Sequence, residues 1–172
     1  TLKLNQTKKI INLASKKKLL ISEAIVFDKH LQFKKMYSML NLKKKTIINA
    51  EFHIPKLNKD NFRNFNKYGG GCFQDMSPYA SSMITLFFNH KKYLTKVKKV
   101  KNSKGLIVSF KFQAKSKNIF LNSSFSFNNS YKNQIEIFNL NKRYSINFAF
   151  SPPIDKKLQL DIFDEKKNKK YK

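Results

Sequence analysis

Gly69-Gly70-Gly71-Cys72-Phe73-Gln74-Asp75-Met76-Ser77-Pro78-Tyr79 divides the chain into two unlike halves. Three successive glycines stand here in a chain that has only four. Glycine lacks the Cβ that restricts φ, so such a run indicates unusual backbone angles or the close approach of another group. Ser77 fits an N-cap and Pro78 a first helical position, which predicts a helix over 78–88 with Tyr79, Ser82, Met83 and Leu86 inward.

Ahead of the glycines, helical and strand periods alternate. Ile10, Leu13 and Ala14 mark a short helix within 5–17. The apolar run from Leu19 to Phe27 has strand length and predicts a strand covered on both faces. Phe33, Met36, Tyr37 and Leu40 fall at i, i+3, i+4 and i+7 and predict an amphipathic helix over 30–42. Ile48, Ala50, Phe52 and Ile54 alternate with polar residues, the period of a half-buried strand, and Pro55 ends it. Beyond residue 93 the strand period dominates: Leu106 to Phe112, Ile119 to Phe127, Ile135 to Ile137, Tyr144 to Phe150 and Leu158 to Ile162. Helices gathered early and strands in series imply an α+β domain, an open and largely antiparallel mixed sheet with helices on one face. Residues 1–163 read as one such domain and 164–172 as a frayed basic tail.

Composition narrows the functions. At 172 residues and 41% hydrophobic, the chain holds enough apolar matter for one core. No stretch reaches the roughly 18 to 20 apolar residues a membrane helix needs. The lone Cys72 leaves no internal disulfide and fits a reducing, cytoplasmic setting. The net charge of +26 attracts polyanions, yet only Arg63 and Arg143 of the 36 basic residues are arginine, the residue nucleic-acid readers favour. Lys, Asn, Ile and Phe share A- and T-rich codons, so base composition accounts for the lysines on an ordinary surface. His30, His53, His90 and Cys72 match no zinc spacing, and no metal is expected.

Asp75 is placed just before the predicted helix and Tyr79 in its first turn. Amides at a helix start favour the anionic form of either group. Tyr79 then serves as a proton donor or acceptor if a nearby cation lowers its pKa. The same two residues also fit a core tyrosine and a local cap.

The stretch 69–79 resembles the glycine-rich, Asp-x-Gly-x-His or Asp-x-Gly-x-Tyr motif of the Gfo/Idh/MocA oxidoreductases. Further matches occur in order along the chain. Thr1-Leu2-Lys3-Leu4-Asn5 resembles the sequence after that family's Glu-Lys-Pro, and Ser22-Glu23-Ala24 through His30 its Glu-Ala-Phe strand and turn. Asn61-Phe62-Arg63 resembles its arginine-bearing loop, and Phe148 to Pro153 its late strand and exit. The resemblance implies the C-terminal, substrate-side and oligomerisation domain of an NAD- or NADP-dependent enzyme acting on a sugar, cyclitol or related diol. It implies Asp75 beside a catalytic lysine, Tyr79 in the proton-relay position, and Arg63 and His30 as substrate contacts. Its implied partners are a Rossmann domain outside this chain, a sugar-like substrate, and a second subunit on the open sheet face. The chain departs from the family where Ser77 replaces a glycine, Asp28 an arginine and Leu31 a proline. No Gly-x-Gly-x-x-Gly phosphate turn occurs, and the Glu-Lys-Pro lysine would precede Thr1. Taken alone, these residues are not expected to bind the cofactor tightly or to turn over. Two alternatives stand beside this one: a non-catalytic dimerisation or sugar-binding module, and a basic nucleic-acid binder.

Overall fold

Among the described residues, eight strands form one sheet, most of them from alternating apolar residues. The computed structural model describes residues 3–89, 92–153 and 157–171, so Thr1, Leu2 and His90 lie outside the described residues. The strands are β1 (Thr46–Ile54), β2 (Leu94–Lys101), β3 (Ile107–Lys115), β4 (Ile119–Phe127), β5 (Lys132–Asn139), β6 (Lys142–Asn147), β7 (Leu160–Asp164) and β8 (Lys169–Tyr171). Their order is β2-β3-β4-β1-β5-β6-β7-β8. Among the described residues only the β1–β4 pair is parallel, with Ile48 opposite Leu121 and Phe52 opposite Phe125. The α+β mixed sheet expected from the alternation is therefore present.

One face of the sheet is buried. Ile48, Ala50, Phe110, Leu121, Phe125, Ile135 and Ile137 pack beneath helices α2 (Leu31–Ser38) and α3 (Cys72–Phe88). Each such aromatic or branched side chain contributes roughly 1.5–3 kcal/mol on burial. The Tyr37 hydroxyl donates to the Leu86 carbonyl at 2.7 Å and ties α2 to α3. The opposite face, with Asn49, Lys111, Gln113, Asn122 and Ser124, is polar and carries an open depression of about 400 Å³.

Four expectations are corrected. Residues 19–26 form no strand, and Leu20 is 98% exposed. An apolar run becomes a strand only beside a strand it can bond, and the described sheet ends elsewhere. Helix α1 (Leu4–Lys16) forms as expected but buries no residue. α3 begins at Cys72, six residues before the predicted start, with Gly71 as N-cap and Pro78 inside it. Proline there removes one i to i−4 bond, a loss that the packing of Met76, Ala80, Met83, Phe87 and Phe88 offsets. The strand from Tyr144 stops at Asn147, because Phe148 has φ 53°. Within the stretch expected to fray, Lys169–Tyr171 form β8, which pairs with β7 across a turn in which Asp164 Oδ1 accepts from Lys166 and Lys167 amides.

β2 escaped the apolar alternation because Lys96, Lys98, Lys99 and Lys101 fill half of it. No described helix is long and apolar enough to cross a membrane.

Candidate functional site

The glycines fasten a loop onto the start of α3. Gly70 N–H donates to the Phe65 carbonyl at 3.0 Å, and Gly71 N–H to the Arg63 carbonyl at 2.8 Å. A Cβ on Gly70 would sit 2.5 Å from the Arg63 carbonyl oxygen, closer than real Cβ atoms come. Gly71 has φ 102° and presses against the Ile107 carbonyl, where a Cβ would meet oxygen at 3.2 Å. Only glycine lets the two backbones meet so closely.

This clamp delivers Arg63 to Asp75. Arg63 Nε donates to Asp75 Oδ1 at 2.9 Å, with both side chains partly exposed. The Arg63 guanidinium also lies 4.7 Å from the centroid of the Phe62 ring. Asp75 occupies the first turn of α3, where the helix amides favour a carboxylate.

Tyr79 is four residues beyond Asp75 and shares its helix face. Phe52, Phe150 and Phe27 surround the half-buried ring, with centroids 5.5, 5.3 and 6.3 Å away. Burial, and then the Asp75 carboxylate, push its pKa up, while Arg63 pulls it down. The expectation that a helix start and a cation would favour phenolate is therefore corrected. Tyr79 lies in the second turn of α3, beyond the reach of the terminal amides, and burial outweighs Arg63. It stays protonated at neutral pH, the form of a proton donor.

The structure thus joins Arg63, Asp75 and Tyr79. His30 instead caps α2, its Nδ1 accepting from the Gln32 amide at 3.3 Å. Among the described residues it makes no hydrogen bond or ion pair with the other three. Periodicity overlooked the aromatic wall and the residue that sets it. Buried Asn133 accepts from Phe150 N–H at 2.9 Å and donates to Ser151 Oγ at 2.8 Å, which fixes Phe150 beside Tyr79. Asn133 stands just ahead of the Ile135 and Ile137 alternation, and an asparagine there carries no signal of this role.

The three glycines are not a phosphate cradle. All three of their amides already bond loop carbonyls, so the residues present do not fit a nucleotide's phosphates. Among the described residues no cluster of His, Cys, Asp or Glu could hold a metal. Buried Cys72 has its thiol pushed up to about 12 by burial, which makes it inert.

No family model and no curated protein matches this sequence. Solved structures do. The 3-ketoreductase KijD10 from Actinomadura kijaniata, in complex with NADP and TDP-benzene, superposes with a TM-score of 0.86 at 19% identity. The match covers 99% of this chain and 54% of that one. The fold is that of the C-terminal domain of Gfo/Idh/MocA oxidoreductases. Two more structures share this Gfo/Idh/MocA fold. UDP-N-acetylglucosamine 3-dehydrogenase GnnA from Acidithiobacillus ferrooxidans has a TM-score of 0.71 at 13% identity, covering 95% of this chain and 50% of that one. Aldose-aldose oxidoreductase from Caulobacter crescentus, complexed with glycerol, has a TM-score of 0.75 at 9% identity, covering 92% and 49%. The chain spans about half the length of the structures it matches.

Proposed function

We propose that this chain is the substrate-side half of an NAD(P)-dependent oxidoreductase that interconverts a carbonyl and a hydroxyl on a sugar, cyclitol or related diol. The carrying observation is that Asp75 and Tyr79 lie one helical turn apart on α3, with Arg63 bonded to Asp75. In the reducing direction, hydride reaches the carbonyl carbon and the Tyr79 hydroxyl gives its proton to the oxygen, which becomes the alcohol. The aromatic wall excludes water from one side of that hydroxyl. Arg63 holds Asp75 in place to balance a lysine brought by the other half. Arg63 is a positioning residue in this reading, and His30 acts on the site only through the start of α2.

The cofactor belongs to a nucleotide-binding half, where it would supply the hydride. The exposed apolar side chains of residues 4–26, among them Ile11, Leu13, Leu20 and Val26, support a partner on that side. The open polar face of the sheet is the side that a second copy would meet.

A non-catalytic sugar-binding or dimerisation module is the second reading, favoured by the ring of phenylalanines that treats Tyr79 as a core residue. Kinetics separate the two in the protein carrying both halves. Tyr79→Phe is expected to lower kcat by about 10²–10⁴-fold, the range for a lost proton donor, with KM little changed. Turnover equal to the parent protein rules out the assigned role.

A further inference from the structure

β2 is the sheet's first edge, and its eight residues are all exposed. α3 packs over β3 and β4, so the helix-side surface of β2 overhangs a groove of about 450 Å³. Phe73, Ala80 and Ile84 of α3 wall it on one side, and Val97, Phe110 and Phe112 of the strands on the other. Register fixes the two faces of β2. Thr95 and Val97 lie opposite Ala114 and Phe112, on the groove side. Lys96 and Lys98 lie opposite Gln113 and Lys111, on the outer side. Among the described residues, Lys96, Lys98 and Lys101 form no ion pair.

An edge strand offers a row of unpaired amides and carbonyls to another strand. The occupant is selected by charge. A second copy pairing at this edge would set lysine against lysine, and the far edge, β8, also carries Lys169 and Lys170. An acidic chain meets neither obstacle. We propose that β2 binds an extended acidic segment of another protein by strand addition, with acidic and apolar residues alternating along that segment. Its apolar side chains enter the groove beside Val97 and Phe112, past Lys99, whose ammonium lies 3.5 Å from the centroid of the Phe73 ring, and its carboxylates meet Lys96 and Lys98. Main-chain hydrogen bonds supply affinity, and the two faces supply specificity. A slip of one residue would turn every carboxylate into the groove.

Fluorescence anisotropy with the full chain and two labelled peptides of identical composition tests this. One peptide alternates Glu and Val; the other carries them in two blocks. The alternating peptide is expected to bind at least about ten-fold more tightly, since only it matches both faces at once. Lys98→Glu and Val97→Ser, both at exposed positions, are each expected to weaken it while the circular dichroism stays unchanged. Equal affinity for the two peptides reveals generic attraction to a basic chain and overturns the proposal. So does the absence of binding, or binding indifferent to both substitutions.

Discussion

Residues 4–26 and the helix-on-sheet body have similar shares of apolar side chains and opposite fates. In the body, Phe27, Phe87, Phe110 and Phe125 are fully buried. In the arm, α1 buries no residue, only Ile25 of the run after it packs partly against the core, and Leu20 stands almost wholly in water. An apolar side chain does not choose its surroundings; the topology must bring a partner to it. The body contains its own partners, because β1, β4 and α3 cover one another. In the proposed reading the arm is the side that meets a nucleotide-binding half.

Substitutions can break or sharpen this contrast. Phe125→Ala in the body is expected to cost about 3–5 kcal/mol, read from the denaturant midpoint, because a stacked ring leaves a cavity. Gly70→Ala is expected to cost about 2 kcal/mol or more, since the loop bearing Arg63 must move away from α3. Its near-ultraviolet spectrum should change along with the midpoint. Ile11→Ala and Leu20→Ala, by contrast, should shift the stability of the chain alone by less than about 0.5 kcal/mol. The same two changes should weaken association with a nucleotide-binding half, measured by calorimetry. A destabilisation of the chain alone as large as that of Phe125→Ala would show that the arm packs on the body after all.

Alkaline titration probes the buried start of α3. The Cys72 thiol is raised from an ordinary 9.0 to about 12, chiefly by burial. A raised folded pKa gives stability that is complete below the unfolded value and declines as pH climbs toward the folded one. Stability should therefore fall from about pH 9 to about pH 12, and Cys72→Ala should flatten that fall. The slope of midpoint against pH for the two proteins decides it.

Strong periods were legible in the sequence and tertiary choices were not. β4 and the start of β5 are dictated by Ile119, Leu121, Phe125, Ile135 and Ile137, whose spacing of two has one explanation. The start of α3 was hidden, because Ser77 and Pro78 imitate a cap; the real cap, Gly71, is recognised by its contacts. β2 is held by pairing with β3 rather than by an apolar face. The Asp75 and Tyr79 pair was legible as a motif, but its partner was not. Arg63 reaches Asp75 only because three glycines let a loop lie against the helix. Phe150 was visible as part of a strand, yet it stands at the site because Phe148 breaks that strand and Asn133 bonds Phe150 and Ser151 beyond the break.

In the proposed reading the cluster of Arg63, Asp75 and Tyr79 is half of a reductase site, completed by a nucleotide-binding half. The most direct measurement is consumption of NADPH or NADH by the protein carrying both halves, with a panel of keto sugars and keto sugar nucleotides. Turnover is expected with at least one of them, matched mole for mole by alcohol product and lost in Tyr79→Phe. Reduction that proceeds undiminished in Tyr79→Phe, or binding of the panel with no hydride transferred to any member, would contradict it.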